Sequence, residues 1–190
     1  MATLKKVEES TRELQEEAER AEFWIGMSDN KNLIKARRFI DGLEMLTDLC
    51  IYKPNRVVDV DDKKKRKKDD DEGEGEDNEQ HEFLNLSELR QEWDNEDPKV
   101  CNDEEVNDKK NQTLLRNKAS YNVSLTVIKQ NGLDEVDDKN SFLKVLEKCY
   151  IFLIKFVKNN PENQFLLVDY IDQFTEDLEY GVHSWELIAE

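Results

Sequence analysis

The sequence predicts an all-α protein built as a helical-repeat solenoid that carries a long disordered charged insertion. An apolar run at residues 142–157 keeps a helical spacing and predicts one helix. Asn160, Pro161 and Glu162 follow it as an N-cap, a first-turn proline and a first-turn acid, so a second helix starts directly afterwards. The third observation is an internal echo: the segment Asn-Gln-Thr-Leu-Leu at 111–115 returns as Asn-Gln-Phe-Leu-Leu at 163–167. Two similar helix starts about fifty residues apart indicate stacked repeats rather than a closed bundle.

Composition limits the class of protein. The 190 residues carry a formal net charge of -17, and 38% of them are charged. An acidic balance argues against a nucleic-acid partner, because binding a phosphate backbone requires basic surface. No run approaches the roughly eighteen apolar residues of a membrane span, and the first residues lack the apolar core of a signal peptide. Three cysteines, odd in number and far apart, fit a reducing cytosol, so we expect a cytosolic protein without direct membrane contact.

Residues 3–54 are predicted to form a helical hairpin. The first helix has an apolar seam with alternating steps of three and four residues, which packs within the protein or, as the alternative, forms a coiled coil. Residues 27–30 break this pattern and offer caps, and a second helix from about Lys31 to Tyr52 ends before Pro54. The seam consists of Leu4, Val7, Thr11, Leu14, Ala18, Ala21 and Ile25.

Residues 55–101 are predicted to be a disordered linker with one short helix around Leu86, Leu89 and Trp93. A basic run at 63–68 is followed at once by an acidic run at 69–72. We interpret the segment as a solvated insertion. The alternatives are a nuclear-import signal in the basic run, a loose calcium site in the aspartates, and a loop that contacts a neighbouring domain. The calcium alternative lacks the ligand spacing of an EF-hand.

Residues 102–190 are predicted to form the main helical repeats. One helix extends to about Asn117 and the next starts at Ala119, where alternating apolar and β-branched residues make a strand the alternative. Asn131 and Gly132 end that helix as a C-terminal cap. A last helical segment, residues 175–190, is interrupted at Gly181. The helix that begins at Pro161 is predicted to pack on the preceding helix through an apolar stripe of Leu166, Leu167, Tyr170, Ile171 and Phe174.

Motifs for catalysis are missing from the sequence, so we expect neither an enzyme nor a bound cofactor or metal. His81 and His183 have no Cys or His at a metal-ligand spacing, and Gly73 and Gly75 lack the context of a phosphate-binding loop. Cys149 falls on the buried side of its helix and is interpreted as a core residue. The aromatic residues with the spacing of core positions are Tyr150, Phe152, Phe156, Phe165 and Tyr170.

One set of residues resembles a known family. The set comprises Asn111 to Asn117, Val127-Ile128, Phe152 to Phe156, Asn160 to Leu167 and Ile171 to Phe174. It is similar to the homology domain (RIH domain) shared by ryanodine receptors and inositol trisphosphate receptors, and is closer to the latter. In that family a helix with an Asn/Gln-x-Leu-Leu-Arg-Asn start is followed by a helix that ends in Asn-Pro-x-Asn-Gln. The resemblance covers the chain from Asn111 onward. It departs from the family pattern after Leu-Leu-Arg-Asn, where the family usually has a glycine and this chain has Lys-Ala-Ser at 118–120.

The resemblance implies an armadillo-like solenoid fragment of an intracellular ligand-gated calcium-release channel, at the cytosolic face of the endoplasmic reticulum membrane. Such a fragment is non-catalytic and relays conformational change from the ligand-binding region to the pore. The implied partners are neighbouring solenoid domains of the same channel, which is a homotetramer. The alternative is a free-standing, cytoplasmic armadillo-like adaptor that binds a peptide or helix. The structural-motif residues are Asn111, Gln112, Leu114, Leu115, Asn160, Pro161, Asn163, Gln164, Leu166 and Leu167.

Overall fold

A computed structural model describes residues 2–20, 24–51, 104–130 and 136–190, and every regular element within these ranges is helical. The all-α prediction is therefore confirmed for the described residues, including the segment for which a strand was the alternative. In chain order the α-helices are α1 (Ala2–Ala18), α2 (Asn30–Cys50), α3 (Glu104–Asn117), α4 (Tyr121–Lys129), α5 (Lys139–Val157), α6 (Pro161–Leu167), α7 (Ile171–Glu176) and α8 (Ser184–Ala189). Short 3₁₀ helices at Val168–Tyr170 and Asp177–Tyr180 flank α7.

Helix α5 lies at the centre of the described fold. Aromatic and aliphatic residues recur on several of its faces, and Phe142, Tyr150, Phe152 and Phe156 are all buried. Helices α2 and α4 pack along it, α8 contacts it, and α3 and α6 meet it towards its C-terminal end. A helix that is apolar around most of its circumference is stable only when other elements surround it. The core of the described part of the chain therefore forms around α5.

Both predicted helical parts contribute to one hydrophobic core. Buried side chains from α1 and α2 form a single cluster with those of α4, α5 and the later helices. An ion pair of 2.8 Å between Lys148 Nζ and Glu44 Oε1 also links α5 to α2. The division into 3–54 and 102–190 stays a prediction. The linker at 55–101, with its short helix, and the cap at Asn131 and Gly132 lie outside the described residues.

The apolar seam of α1 packs against α4. Val7, Leu14 and Ala18 of this seam are buried. Thr11 lies between them, and its Oγ1 is 3.0 Å from Ser120 Oγ at the start of α4. The prediction that the seam packs within the protein is thus confirmed in preference to a free coiled coil, as far as Ala18.

The predicted seam does not continue to Ile25, which is 42% exposed. Trp24 is buried in its place, with its ring edge-to-face on Phe39 and Phe142 at centroid distances of 5.1 and 5.9 Å. The indole N–H donates to the Ala18 carbonyl at 3.1 Å. A tryptophan buries more apolar area than an isoleucine and here also has a partner for its polar atom, so it takes the core position.

Helix α2 begins where the sequence predicts a capping residue. The Asp29 side chain accepts a hydrogen bond from the Lys31 N–H, as a helix N-cap does. Gly42 in the same helix allows close contact with α1. A Cβ at this position would lie 2.7 Å from Leu14 Cδ2, so any larger residue requires the leucine to move.

The predicted apolar stripe after Pro161 is only partly correct. Leu167 and Phe174 are buried, but Ile171 is exposed, and Phe165, which was expected in the core, is 79% exposed. The expectation for Phe165 is wrong because Asn163 and Leu167 form the buried face of α6, and Phe165, two residues from each, lies on the opposite side. Ile171 follows a 3₁₀ helix that begins after Leu167. A 3₁₀ helix has about three residues per turn instead of 3.6, so the face that contacts α5 shifts relative to a continuous α-helix.

Candidate functional site

The C-terminal end of α5 is the place where the residues of the family resemblance meet. The last carbonyl groups of any α-helix have no partner within the helix. In α5 these are the carbonyls of Lys155, Phe156 and Val157, followed by that of the C-cap residue Lys158. Because Phe156 and Val157 are buried, their carbonyl oxygens need hydrogen-bond donors from outside the helix. The Asn160 backbone N–H supplies one of these to the Val157 oxygen at 3.0 Å, and side chains supply the others.

Gln112 of α3 supplies donors for two of these carbonyls. Its Nε2 donates to the Lys155 oxygen at 2.8 Å and to the Lys158 oxygen at 3.0 Å. The side-chain NH₂ group has two hydrogens, so both are used. Gln112 is 2% exposed, and it ties α3 to the end of α5.

Asn160 completes the hydrogen bonding of Gln112 and caps the next helix. With both Gln112 hydrogens on carbonyls, Gln112 Oε1 accepts from Asn160 Nδ2 at 2.9 Å. Asn160 Oδ1 then accepts from the Asn163 N–H at 3.3 Å, which is the N-cap hydrogen bond of α6. The predicted N-cap at Asn160 is confirmed, with Pro161 at the first helical position. The hydrogen-bond partners of Gln112 and Asn160 determine which atom of each side-chain amide is the oxygen and which is the nitrogen.

Asn163 and Gln164 of α6 supply the remaining donors. Asn163 Nδ2 donates to the Phe156 oxygen at 2.8 Å, and Gln164 Nε2 donates to the Val157 oxygen at 3.3 Å. The four carbonyls at the end of α5 therefore all accept from side-chain amides of α3 or α6. We call this arrangement of Gln112, Asn160, Asn163 and Gln164 around the end of α5 the amide joint.

An ion pair and apolar contacts flank the amide joint. Arg116 of α3 pairs with Glu162 of α6, and it also approaches Asn163 Oδ1 at 3.4 Å. Leu115, next to Arg116 in the sequence, and Leu167, on α6, are buried in the hydrophobic core. Together with the amide joint, these contacts hold α3, α5 and α6 in one arrangement, and their chemical role is to fix the helix geometry.

The structure brings together only some of the ten predicted motif residues. The four amides of the joint meet as described, while Asn111, Leu114 and Leu166 are half-buried at its margin. The two copies of the repeated segment, 111–115 and 163–167, both bury their last leucine but differ in which amide residue is buried. Leu115 and Leu167 are both buried, but the buried amide is the second residue of the first copy, Gln112, and the first residue of the second copy, Asn163.

A feature that the sequence analysis did not recognise is the backbone conformation at Ala119. This residue has a φ of 54°, in the left-handed region. The Ala119 N–H donates to the Arg116 carbonyl at 2.9 Å, and the Ser120 N–H donates to the Leu115 carbonyl at 3.0 Å. These two bonds are the pattern of a Schellman C-cap, in which glycine is the preferred residue. The departure from the family pattern after Leu-Leu-Arg-Asn thus falls on a position that favours glycine.

Replacing Ala119 with glycine is expected to stabilise the protein by about 1 kcal/mol, because the left-handed conformation costs an L-residue about 1–2 kcal/mol and glycine almost nothing. Chemical denaturation followed by circular dichroism measures the change. Ala36→Gly within α2 is the matched control and is expected to destabilise by about 1 kcal/mol. Destabilisation by both substitutions would contradict the left-handed assignment of Ala119.

Two further polar pairs and one buried thiol lie in the C-terminal part of the described chain. Tyr150 O–H donates to Asp177 Oδ2 at 2.5 Å, and burial raises the pKa of Asp177 above its ordinary value. His183 Nδ1 lies 2.9 Å from Glu186 Oε1, and this hydrogen bond raises the pKa of the imidazole. Burial raises the pKa of the Cys149 thiol to about 12, so that it is protonated and unreactive at neutral pH, as a core residue would be.

Neither a metal centre nor a membrane span is found in the described ranges. Within residues 2–20, 24–51, 104–130 and 136–190, no group of three or more His, Cys, Asp or Glu side chains is placed to hold a metal ion. None of the helices described there is long and apolar enough to cross a bilayer. Comparisons with protein-family models, with curated proteins and with solved structures find no match to this chain. The family resemblance therefore rests on the motif residues themselves.

Proposed function

We propose that this chain is a non-catalytic part of the cytosolic solenoid of an intracellular ligand-gated calcium-release channel. In this proposal it passes conformational change from the ligand-binding region towards the pore. Its partners are the neighbouring solenoid domains of the same channel, a homotetramer in the endoplasmic reticulum membrane. The observation that carries the proposal is the amide joint, because the polar residues of the family resemblance have one shared physical task in it.

The amide joint supports a mechanical role. Gln112 reaches carbonyls that lie 43 and 46 residues further along the chain, and Asn163 and Gln164 reach back by seven residues. Buried and partly buried hydrogen bonds of this kind are costly to break without replacement, so the three helices are expected to move as one body. Rigid bodies that rotate about their interfaces are a common way to transmit a conformational change.

The order of helix contacts supports an armadillo-like array. Helix α1 packs on α4, and α2 packs on α5, so that the first helix pair stacks on the second. Helix α5 in turn contacts α6 and α8, which follow in the chain. Stacking of successive helix pairs is the arrangement of helical-repeat proteins, whose units contact their neighbours and pass strain along the stack.

An antibody against residues 139–190 distinguishes a channel from a free-standing adaptor. The channel proposal expects a polypeptide much heavier than the 22.5 kDa of this chain, in the endoplasmic reticulum membrane fraction and resistant to alkaline extraction. Chemical cross-linking of that fraction should yield a tetramer. Antibody blocked with the immunising peptide is the control. A soluble protein of 22.5 kDa as the only product would contradict the proposal and favour the adaptor.

A further inference from the structure

Large apolar side chains are exposed together on the last three helices. On α6, α7 and the 3₁₀ helix between them they follow one another at spacings of three residues, which is about one helical turn. On α8 two more are separated by the same spacing. Phe165 and Trp185 are the most exposed, at 79% and 62%. The set consists of Phe165, Val168, Ile171, Trp185 and Ile188.

Three of these five side chains line a shallow groove. Its floor is formed by side chains that belong to the hydrophobic core, including Val157 of α5 and Phe174 of α7. Val168 and Ile171 line it from one side and Ile188 from the other. The groove has a volume of about 120 Å³, which is the scale of one apolar side chain. An apolar groove between helices that also expose large apolar side chains is typical of a surface that receives a partner helix.

The chain segment that supplies most of the groove is acidic. Residues 159–190 contain no lysine or arginine, and their acids are Glu162, Asp169, Asp172, Glu176, Asp177, Glu179, Glu186 and Glu190. Asp169 and Asp172 are exposed and directly follow Val168 and Ile171, and Glu190 lines the groove itself. Described cations reach this segment from other helices: Arg116 of α3 pairs with Glu162, and Lys129 of α4 has its Nζ 4.5 Å from the Tyr170 ring centroid.

We propose that this groove binds a basic amphipathic helix supplied by another polypeptide. The apolar face of such a helix covers the exposed side chains of α6, α7 and α8, and its lysines or arginines face Asp169, Asp172 and Glu190. Charge complementarity selects this occupant over a second copy of the chain, because two copies would bring like-charged acidic margins together. The inference does not depend on the calcium-channel proposal.

Binding of a designed peptide to the full chain tests the inference. The probe is a fluorescent eighteen-residue helix with leucines on one face and lysines on its flanks, and the matched control has glutamate at every lysine position. Fluorescence anisotropy should show saturable binding of the lysine peptide and none of the glutamate peptide. Asp169→Asn with Asp172→Asn should weaken the affinity and reduce its dependence on salt. Equal binding of both peptides, or binding of neither, would overturn the inference.

Substitution in the groove locates the binding site. Ile171→Glu places a charge on the apolar wall and should weaken the lysine peptide about tenfold or more. Ile34→Glu is the matched control, since Ile34 is an isoleucine of similar exposure on α2, and it should leave the affinity unchanged. Circular dichroism confirms that both variants fold. Unchanged binding to Ile171→Glu would overturn the inference. So would sedimentation of the chain as a dimer that Ile171→Glu dissociates, because the occupant would then be a second copy.

Discussion

Leu167→Ala is expected to lower the free energy of unfolding by about 2–3 kcal/mol. Leu167 is 4% exposed, and it anchors α6 against the hydrophobic core. Removing a buried leucine side chain costs about 2–5 kcal/mol, and the cost rises with the cavity that remains. Leu167 borders the apolar groove, so the space can partly open to solvent, and the lower part of that range is expected. Guanidinium chloride denaturation followed by far-ultraviolet circular dichroism measures the change.

The matched control for this prediction is Leu178→Ala. Leu178 is 43% exposed, so the same chemical change removes much less buried surface. Its expected cost is less than about 1 kcal/mol, as for most surface substitutions. Similar losses from the two variants would mean that Leu167 does not hold α6 in the core.

Gln112→Leu is expected to lower the free energy of unfolding by about 2–4 kcal/mol. The substitution keeps an apolar side chain of similar length but removes both donors to the α5 carbonyls and the acceptor for Asn160. A buried polar group that loses its partner costs about 1–3 kcal/mol. Lys158 also borders a polar cavity of about 270 Å³, so water can donate to its carbonyl in place of Gln112. The total cost is therefore expected to be lower than about three times the cost of one buried polar group without a partner.

A double-mutant cycle that combines Gln112→Leu with Asn160→Ala tests whether the two side chains stabilise the protein cooperatively. Asn160→Ala is expected to cost on the order of 1 kcal/mol through the lost N-cap, and more because it also bonds Gln112. Since the two side chains are hydrogen-bonded to each other, the double variant should be less destabilised than the sum of the single variants, by about 1 kcal/mol. Additive losses would show that Gln112 and Asn160 act independently.

Several of the described helices could be predicted because they have a local signal. Apolar spacing located α2 and α5, and the caps at Asp29 and Asn160 have the residue types that accept from backbone N–H groups. Phe165 was misplaced because it was assigned to the core as an aromatic residue, whereas the buried face of α6 carries Asn163 and Leu167. The apolar stripe was predicted on one continuous helix, but α6 ends at Leu167 and a 3₁₀ helix with a different periodicity follows it.

The candidate site could be predicted in its members but not in its chemistry. The resemblance selected Gln112, Asn160, Asn163 and Gln164 as motif residues, and the structure brings them together. Their common task depends on which carbonyls lie within reach, and for Gln112 these belong to residues more than forty positions away. Spacing in the sequence carries no information about such a contact. The sequence did contain one signal near the site. The family usually has a glycine after Leu-Leu-Arg-Asn, and in this chain Ala119 lies there and adopts the left-handed conformation between α3 and α4.

Ligand-evoked calcium release from microsomes is the most direct test that the amide joint transmits motion in a channel. The measurement compares the full channel carrying Gln112→Leu with the channel carrying Leu178→Ala, and inositol trisphosphate binding is measured on the same membranes. Limited proteolysis confirms that both variants are folded. Our account predicts reduced calcium flux at saturating ligand for Gln112→Leu with ligand affinity unchanged, and normal flux for Leu178→Ala. Normal flux from a folded Gln112→Leu channel would contradict it.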